Sequence, residues 1–310
     1  CNVRESINLQ AATKLKKMDY RCLGYCPKLT SVTIPASVEE FGSELFYYSS
    51  NLASITFNAV NVPDNFYRNG RNLTTITFGA GVKSIGTDAF YDNDGLTTIN
   101  IPSSVSGLVI GKEAFRDCDQ LRTVTLPKGV VTLGESAFYG CDSLRTVTIA
   151  TGSQLDSIAR YAFAYNYKLQ TINLEAATKL KHLMYRVFYD CRDLQAITIP
   201  ASVIEFGNEY YGASLLDYCN NLKTITFNAA NVPTNFYQGG QQLTTINFGA
   251  GVKNIGNGAF YNNDALTTIN ISSSASGLAI GKEAFRDCDQ LRSVTLAKGV
   301  VSVGESAFYG

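Results

Sequence analysis

A single pattern of apolar and polar positions runs through the whole chain. A Leu, two residues, an Ile or Val, one residue and another apolar residue recur thirteen times, at starts 21 to 28 residues apart. The last copy is Leu291, Val294 and Leu296, whereas the first is degenerate, with Arg4 in place of Leu. Because a unit this short cannot bury its own apolar face, the units must stack on one another.

The residue types within a unit predict its local structure. Thr or Ser alternates with Ile or Val, as in 123–126, which indicates a short β-strand. An apolar residue with Gly follows, as at Leu133 and Gly134, and then Ala-Phe, as at Ala137 and Phe138. The sequence therefore predicts a leucine-rich repeat solenoid of the α/β-type horseshoe class. One short parallel β-strand per 21–28-residue unit forms the concave face, and the convex side is irregular or short helical.

A longer period lies above the short one. Residues 8–41 return as 173–206, and residues 52–140 return as 222–310, with an insertion around Tyr211 to Leu215. We therefore expect one solenoid of about 13 units over residues 1–310, with a first seven-unit block at 1–165 and a second, incomplete block at 166–310. Both ends fall in phase with the repeat, which favours a fragment of a longer protein.

Composition and charge exclude several functions. The chain is 45% hydrophobic and 17% charged, with 26 basic and 26 acidic residues, so the basic stripe of a nucleic-acid-binding protein is not expected. No apolar run has the length of a membrane span. The chain has a single histidine, His182. A metal site with several histidine ligands is therefore impossible, and a catalytic triad would have only this one candidate base. Residues 92–95 resemble the start of a calcium loop but lack its distal Glu. We expect no catalytic residues, metal or cofactor.

Two rows of side chains are candidate contact surfaces. The concave face should present hydroxyls, for which the simpler interpretation is that Thr suits an exposed strand. A second row consists of Tyr that follow the Phe of many units, and interfaces favour Tyr, although such rings could merely cover the coil below. The concave candidates are Thr75, Thr77, Thr123, Thr125, Thr146, Thr148, Thr224 and Thr226. The candidate protein-binding flank is Tyr67, Tyr91, Tyr139, Tyr189, Tyr237, Tyr261 and Tyr309.

Seven of the eight cysteines share one slot of the repeat, three residues before the next Leu, and Cys22 is extra. Asn or Ser stands in this slot elsewhere, as at Asn93 and Ser49. Stacked side chains point the same way, so we expect a ladder of buried, reduced thiols; disulfides between neighbouring coils, and a lipidated Cys1, remain alternatives. The ladder comprises Cys26, Cys118, Cys141, Cys191, Cys219 and Cys288, with Cys1 in phase.

The joint spacing of Leu-x-x-Ile-x-Ile-Pro, Ile-Gly, Ala-Phe and Cys, clearest in residues 96–144, resembles the BspA-type leucine-rich repeats of bacterial, and some protozoan, cell-surface proteins. The resemblance covers essentially the whole chain. It implies a right-handed horseshoe, an extracellular, cell-surface or secreted location, and adhesion through binding to host matrix or plasma proteins or to other cells. That family has no catalytic motif to carry over.

Two functional hypotheses follow. In the first, the chain is an adhesion module that binds a protein ligand as a monomer. In the second, it is a structural stalk that presents another domain and has no ligand of its own.

Overall fold

The protein is described by a computed structural model that covers residues 5–207 and 215–310. It divides into two compact units, Cys1–Leu155 and Asp156–Gly310. In both units the chain winds in coils, and most coils carry two short strands that pair in parallel with the equivalent strands of neighbouring coils. Strands that carry the Leu-x-x-Ile pattern are called row A here, and strands on the opposite side of the coil are called row B.

In unit 1, the row A strands pair in register, so that Ser54 lies beside Thr75 and Phe57 beside Phe78. The row A strands are Ser6–Asn8, Ser31–Ile34, Ser54–Phe57, Thr75–Phe78, Thr98–Asn100, Thr123–Leu126 and Thr146–Ile149. The row B strands are Lys17–Met18, Glu40–Phe41, Asn61–Val62, Ser84–Ile85, Leu108–Ile110 and Val130–Leu133.

Unit 2 repeats this arrangement. Its row A strands are Thr171–Ile172, Ala196–Ile199, Thr224–Phe227, Thr245–Phe248 and Thr268–Ile271. Its row B strands are Ser157–Ile158, His182–Leu183, Glu205–Phe206, Asn231–Val232, Asn254–Ile255, Ser276–Ile280 and Gly299–Val303. The final repeat departs from the expected pattern, because residues 291–297 form no strand. The matching strand of unit 1, Thr123–Leu126, is paired with the strand that follows it, Thr146–Ile149.

Row B adds short strands to the side of the coil that was expected to be irregular or short helical. The single helical element among the described residues is the 3₁₀ turn Leu174–Ala176, and elsewhere this side of the coil consists of the row B strands and the turns that follow them. β-Branched pairs such as Val130 and Val131 favour this conformation. Glycine follows many of the row B strands where successive coils meet, as at Gly111 and Gly134: a Cβ on Gly134 would lie 2.5 Å from the carbonyl carbon of Gly111. Only glycine permits that approach.

The core is a column of rings and aliphatic side chains between the two rows. Row A alternates half-buried and buried residues, as in Thr75–Phe78, so that Ile76 and Phe78 face inward. Phe90, Phe115 and Phe138 are fully buried and stack face to face, with ring centroids 5.5 and 5.3 Å apart. The repeat thus buries continuously what no single coil could bury alone.

Two left-handed residues shape the turn that carries Ala-Phe. In the coil of Phe115 they are Glu113 and Asp117, with φ of 53° and 54°. They flank Ala114, Phe115 and Arg116, of which the first two point into the core and the third lies at the surface. The residue after the Phe, here Arg116, is therefore directed outward. The ladder position, Cys118, follows two residues later.

Candidate functional site

The ladder position forms a buried column of hydrogen-bond donors. Most ladder side chains donate to the carbonyl of the residue in the Phe slot of the preceding coil, whereas Cys26 Sγ donates to Gly24 O of its own coil at 3.4 Å. The distances are 3.2 Å from Cys141 Sγ to Phe115 O, 2.7 Å from Ser49 Oγ to Leu23 O, and 2.8 Å from Asn93 Nδ2 to Tyr67 O. This shared partner explains why Cys, Asn and Ser interchange at the position. Each satisfies a carbonyl that would otherwise be buried without a donor.

The ladder thiols are buried and form no disulfides among the described residues. The seven cysteines within the described residues are free, and Cys26, Cys118, Cys141, Cys191, Cys219 and Cys288 are all buried. Burial raises the pKa of Cys118 and Cys191 well above the ordinary value, and that of Cys288 to about 11. At neutral pH these groups are therefore thiols rather than nucleophilic thiolates. Cys1, Arg4 and the start of the insertion at Tyr211 lie outside the described residues.

Two members of the expected tyrosine flank are buried instead. Tyr67 and Tyr237 are 6% and 5% exposed, and burial raises the pKa of Tyr67 to about 12. Each lies three residues before a glycine in the ladder slot, which is the spacing of Phe115 to Cys118, so both occupy the Phe slot and not the outward slot after it. A Cβ on Gly70 would lie 2.1 Å from Cε1 of Tyr67, so the ring takes the space that a ladder side chain fills elsewhere.

The outward slot after the Phe carries an alternating column of Tyr and Arg. In successive coils of unit 1 it holds Tyr47, Arg68, Tyr91, Arg116 and Tyr139. The guanidinium of Arg68 lies 4.6 Å from the centroid of the Tyr91 ring, and that of Arg116 lies 4.5 Å from Tyr139 and 5.6 Å from Tyr91. We call this column, together with its copy in unit 2, the Tyr–Arg flank.

Unit 2 contains a shorter stretch of the same arrangement. Arg286 lies 5.9 Å from the Tyr261 centroid and 5.3 Å from the Tyr309 centroid. Tyr189 occupies the same slot farther back in the chain, where Arg186 lies 4.6 Å from its ring centroid. Tyr91, Tyr139, Tyr189 and Tyr261 are half-buried, and Tyr309 is 63% exposed.

Acidic neighbours balance the charge of the flank. Arg116 forms ion pairs at 3.2 Å with both Glu113 and Asp117, and Arg286 forms one at 3.1 Å with Glu283. Carboxylates and ring faces thus hold each guanidinium from two sides. The surface is aromatic, and its arginine side chains are paired with neighbouring carboxylates and ring faces.

Sequence reasoning identified most tyrosines of this column but not Tyr47 or the arginines. Arg68, Arg116 and Arg286 stand in the same slot as the tyrosines, and counting two residues upstream of each ladder position would have aligned them. The same reasoning missed Tyr25, Tyr48 and Tyr218, which occupy the slot before the ladder and are 58%, 67% and 59% exposed.

Row A presents the expected hydroxyl face. Thr75, Thr77, Thr146, Thr224 and Thr226 are half-buried, and Thr123, Thr125 and Thr148 are exposed. Register places Thr123 beside Thr146 and Thr125 beside Thr148. Asparagines join the array internally, with Asn100 Nδ2 donating to Thr77 Oγ1 at 3.2 Å and Asn270 Nδ2 donating to Asn247 Oδ1 at 2.7 Å. Part of this face therefore satisfies its own hydrogen bonds.

In residues 5–207 and 215–310 no group of three or more His, Cys, Asp or Glu side chains is arranged to hold a metal ion. Across the same residues, no helix has both the length and the apolar character needed to cross a bilayer. The ring of His182 donates a hydrogen bond from Nδ1 to Glu205 Oε2 at 2.6 Å, and its Nε2 lies 3.8 Å from Asp156 Oδ2.

Comparison with known proteins identifies the family. A family model described as the BspA type leucine rich repeat region (6 copies) matches residues 1–97, 84–216 and 209–310. The chain belongs to the BspA-type leucine-rich repeat family. No curated protein sequence matches it.

Among solved structures, this BspA-type chain is similar to a leucine-rich repeat protein from Bacteroides ovatus. The two are 27% identical with a TM-score of 0.60, over 95% of this chain and 80% of the other. A leucine rich cell surface protein from Faecalibacterium prausnitzii is 23% identical with a TM-score of 0.45, over 93% of this chain and 80% of the other. The BspA-type fold is one used for protein–protein interaction or as a stalk.

Proposed function

We propose that this chain is an adhesion module that works outside the cell, at a cell surface or after secretion. It binds a protein ligand, of host matrix or plasma or of another cell, without catalysis, metal or cofactor. One observation carries the proposal, namely the Tyr–Arg flank with its ordered, charge-balanced side chains. The chain acts as a monomer, and the full 310 residues serve as one array of about 13 repeats.

Residue chemistry favours the Tyr–Arg flank over the threonine face. Tyr and Arg are enriched among residues that dominate binding energy, whereas Thr is under-represented. A tyrosine contributes a large apolar area and a hydroxyl while losing few rotamers, but a threonine contributes one methyl and a hydroxyl that water or Asn100 already satisfies. Cation–π contacts and ion pairs also fix Arg116 in advance, which lowers the entropy lost on binding.

Repetition of the flank adds avidity. Tyr91 and Tyr139 in unit 1 and Tyr261 and Tyr309 in unit 2 present the same chemistry more than once. A fibrous or multivalent ligand can engage several weak contacts together, so that overall affinity exceeds that of any single site. A repeated surface of this kind supports the proposed adhesion role.

A solid-phase panel of matrix proteins, plasma proteins and glycans tests the proposal. We expect saturable binding of at least one protein at micromolar concentrations. Added EDTA should leave this binding unchanged. If no protein binds at those concentrations, the proposal fails and the chain is better described as a stalk that holds another domain.

A further inference from the structure

The sequence contains two asparagines that are followed directly by glycine. They are Asn69, before Gly70 in unit 1, and Asn257, before Gly258 in unit 2. Such a pair reacts without an enzyme when the backbone nitrogen of the glycine attacks Cγ of the asparagine side chain and expels ammonia. Glycine favours the attack because it has no Cβ to shield its nitrogen. Both asparagines are exposed, so sequence and exposure alone do not distinguish the two sites.

Hydrogen bonds to the next coil hold the site in unit 2. Oδ1 of Asn257 accepts from the backbone N–H of Lys282 at 2.9 Å. The N–H of Gly258 donates to the carbonyl of the same Lys282 at 2.8 Å. The two groups that must meet in the reaction are thus both tied to one residue. Because these bonds must open before the nitrogen can reach Cγ, the folded structure protects Asn257.

The site in unit 1 lacks these restraints. In the part of the chain that the structure describes, no hydrogen bond involves the Asn69 side chain or the N–H of Gly70. The equivalent N–H in unit 2, that of Gly240, donates to Asn263 Oδ1 at 3.0 Å. The matching acceptor in unit 1, Asn93 Oδ1, is buried and has no hydrogen-bond partner. The attacking nitrogen and the amide that it attacks are therefore both unrestrained by hydrogen bonds in unit 1.

From this contrast, we propose that Asn69 is a site of spontaneous deamidation, which changes the Tyr–Arg flank as the protein ages. Gly70 N forms a bond to Cγ of Asn69 while the C–N bond of the side-chain amide breaks, and the amide leaves as ammonia with the proton of Gly70. Water then opens the cyclic imide to give aspartate or isoaspartate, in which the main chain runs through the side chain. Overall, one water is consumed and one ammonia is released. The inference goes beyond the proposed function and does not depend on it.

The position of Asn69 links this chemistry to the flank. Its neighbour in sequence is Arg68, whose guanidinium lies 4.6 Å from the Tyr91 ring centroid and 3.5 Å from the Asp88 carboxylate. The backbone N–H of Asn69 donates to the carbonyl of Tyr91 at 2.9 Å. A new carboxylate beside Arg68 competes with that ring for the guanidinium, and isoaspartate lengthens the main chain next to the bond to Tyr91. Both products therefore disturb the packing of Arg68 on Tyr91.

The change is confined to one unit. The positions in unit 2 that correspond to Arg68, Asn69 and Gly70 hold Gln238, Gly239 and Gly240, so neither the reactive amide nor the guanidinium is present there. Tyr261, which corresponds to Tyr91, therefore serves as the unmodified reference within the same molecule.

The test ages the full, unmodified chain at neutral pH and body temperature. Samples are digested with chymotrypsin under mildly acidic conditions, and mass spectrometry follows the conversion of amide to acid in peptides 68–73 and 249–260. Methylation by an isoaspartate methyltransferase counts the isoaspartate product. We expect Asn69 to convert about tenfold faster than Asn257 or more in the folded chain, since two hydrogen bonds protect only the latter. In urea, where neither site is protected, the two rates should be similar.

Variants and ring resonances complete the test. Asn69→Gln should stop the change, because its longer side chain must close a larger ring, and Asn257→Gln should leave it unaffected. With ¹³C-labelled tyrosine rings, the aged chain should show a shifted Tyr91 resonance and an unchanged Tyr261 resonance. The site is overturned if Asn69 converts no faster than Asn257 in the folded chain, or if neither converts until urea is added. Conversion of Asn69 without any shift of Tyr91 would overturn the effect on the flank.

Discussion

The contact between Tyr67 and Gly70 gives a sharp test of which residues occupy equivalent positions in successive coils. The Tyr67 ring lies where a ladder side chain would stand, and its hydroxyl donates to Ser49 O at 3.3 Å. A new Cβ at position 70 would lie 2.1 Å from the Tyr67 ring and 2.4 Å from Asn93 Oδ1, so one of them must move. We therefore expect Gly70→Cys to overpack this part of the core.

The structure sets the size of each effect. Overpacking costs about 1 to 3 kcal/mol, and displacing the Tyr67 hydroxyl costs about 1 kcal/mol more, so Gly70→Cys should destabilise by about 2 to 4 kcal/mol. Tyr67→Phe alone should cost about 1 to 2 kcal/mol, because the Ser49 carbonyl loses its buried donor. With both changes the Phe ring is released and can take the position of Phe115 above Cys118. The double variant should then be more stable than the sum of the single effects predicts, by at least about 1.5 kcal/mol.

Urea unfolding followed by circular dichroism measures all four members of this cycle. The control cycle replaces Gly70→Cys with Gly81→Cys, since a Cβ on Gly81 meets nothing nearer than 4.0 Å. Its two changes should add within about 0.5 kcal/mol. Additivity in the Gly70 cycle as well would refute the assignment of Tyr67 to the Phe slot.

Three further predictions concern the core, the thiols and pH. Phe138→Ala should destabilise by about 3 to 5 kcal/mol through a cavity under the Phe115 ring, and a loss below about 1 kcal/mol in urea unfolding would contradict its burial. In denaturant without reductant, thiol titration should count nearly eight, whereas in the native chain Cys22 should react well before the buried ladder; a denatured count near two would mean bridged pairs. Burial, then repulsion from Asp142, Asp94 and Asp117, raises the pKa of Asp119 to about 6, so the folded state binds the extra proton between about pH 4 and 6. Stability from this group should fall as pH rises through that window, and Asp119→Asn should remove the fall; an unchanged pH profile would contradict it.

The repeat and its row A strands could be predicted because each depends on local pattern. The Leu-x-x-Ile spacing fixes which side chains are buried, and the alternation in residues such as 75–78 fixes the strand. The row B strands could not be predicted in the same way. Many, such as Ser84–Ile85, are two residues long and exist only because neighbouring coils supply parallel partners. Pairing between coils, rather than propensity within one coil, decides that conformation.

The candidate surface was only partly predictable for a related reason. The tyrosines could be counted in the sequence, but the slot of each depends on its distance to the ladder residue, which is glycine in the coils of Tyr67 and Tyr237. The arginines of the flank contribute through geometry. The distance to the ladder residue aligns Arg116 with the tyrosines, but it does not show that two rings and two carboxylates converge on its guanidinium in three dimensions.

The most direct test of the account compares two variants of the full chain against the same protein ligand. One replaces Tyr91, Tyr139, Tyr261 and Tyr309 with Ser, and the other replaces Thr123, Thr125, Thr146 and Thr148 with Ala. Circular dichroism and the urea midpoint first establish that both remain folded. The account predicts that the Tyr variant loses most of its affinity while the Thr variant keeps it, and loss confined to the Thr variant would contradict the central claim that the Tyr–Arg flank is the binding surface.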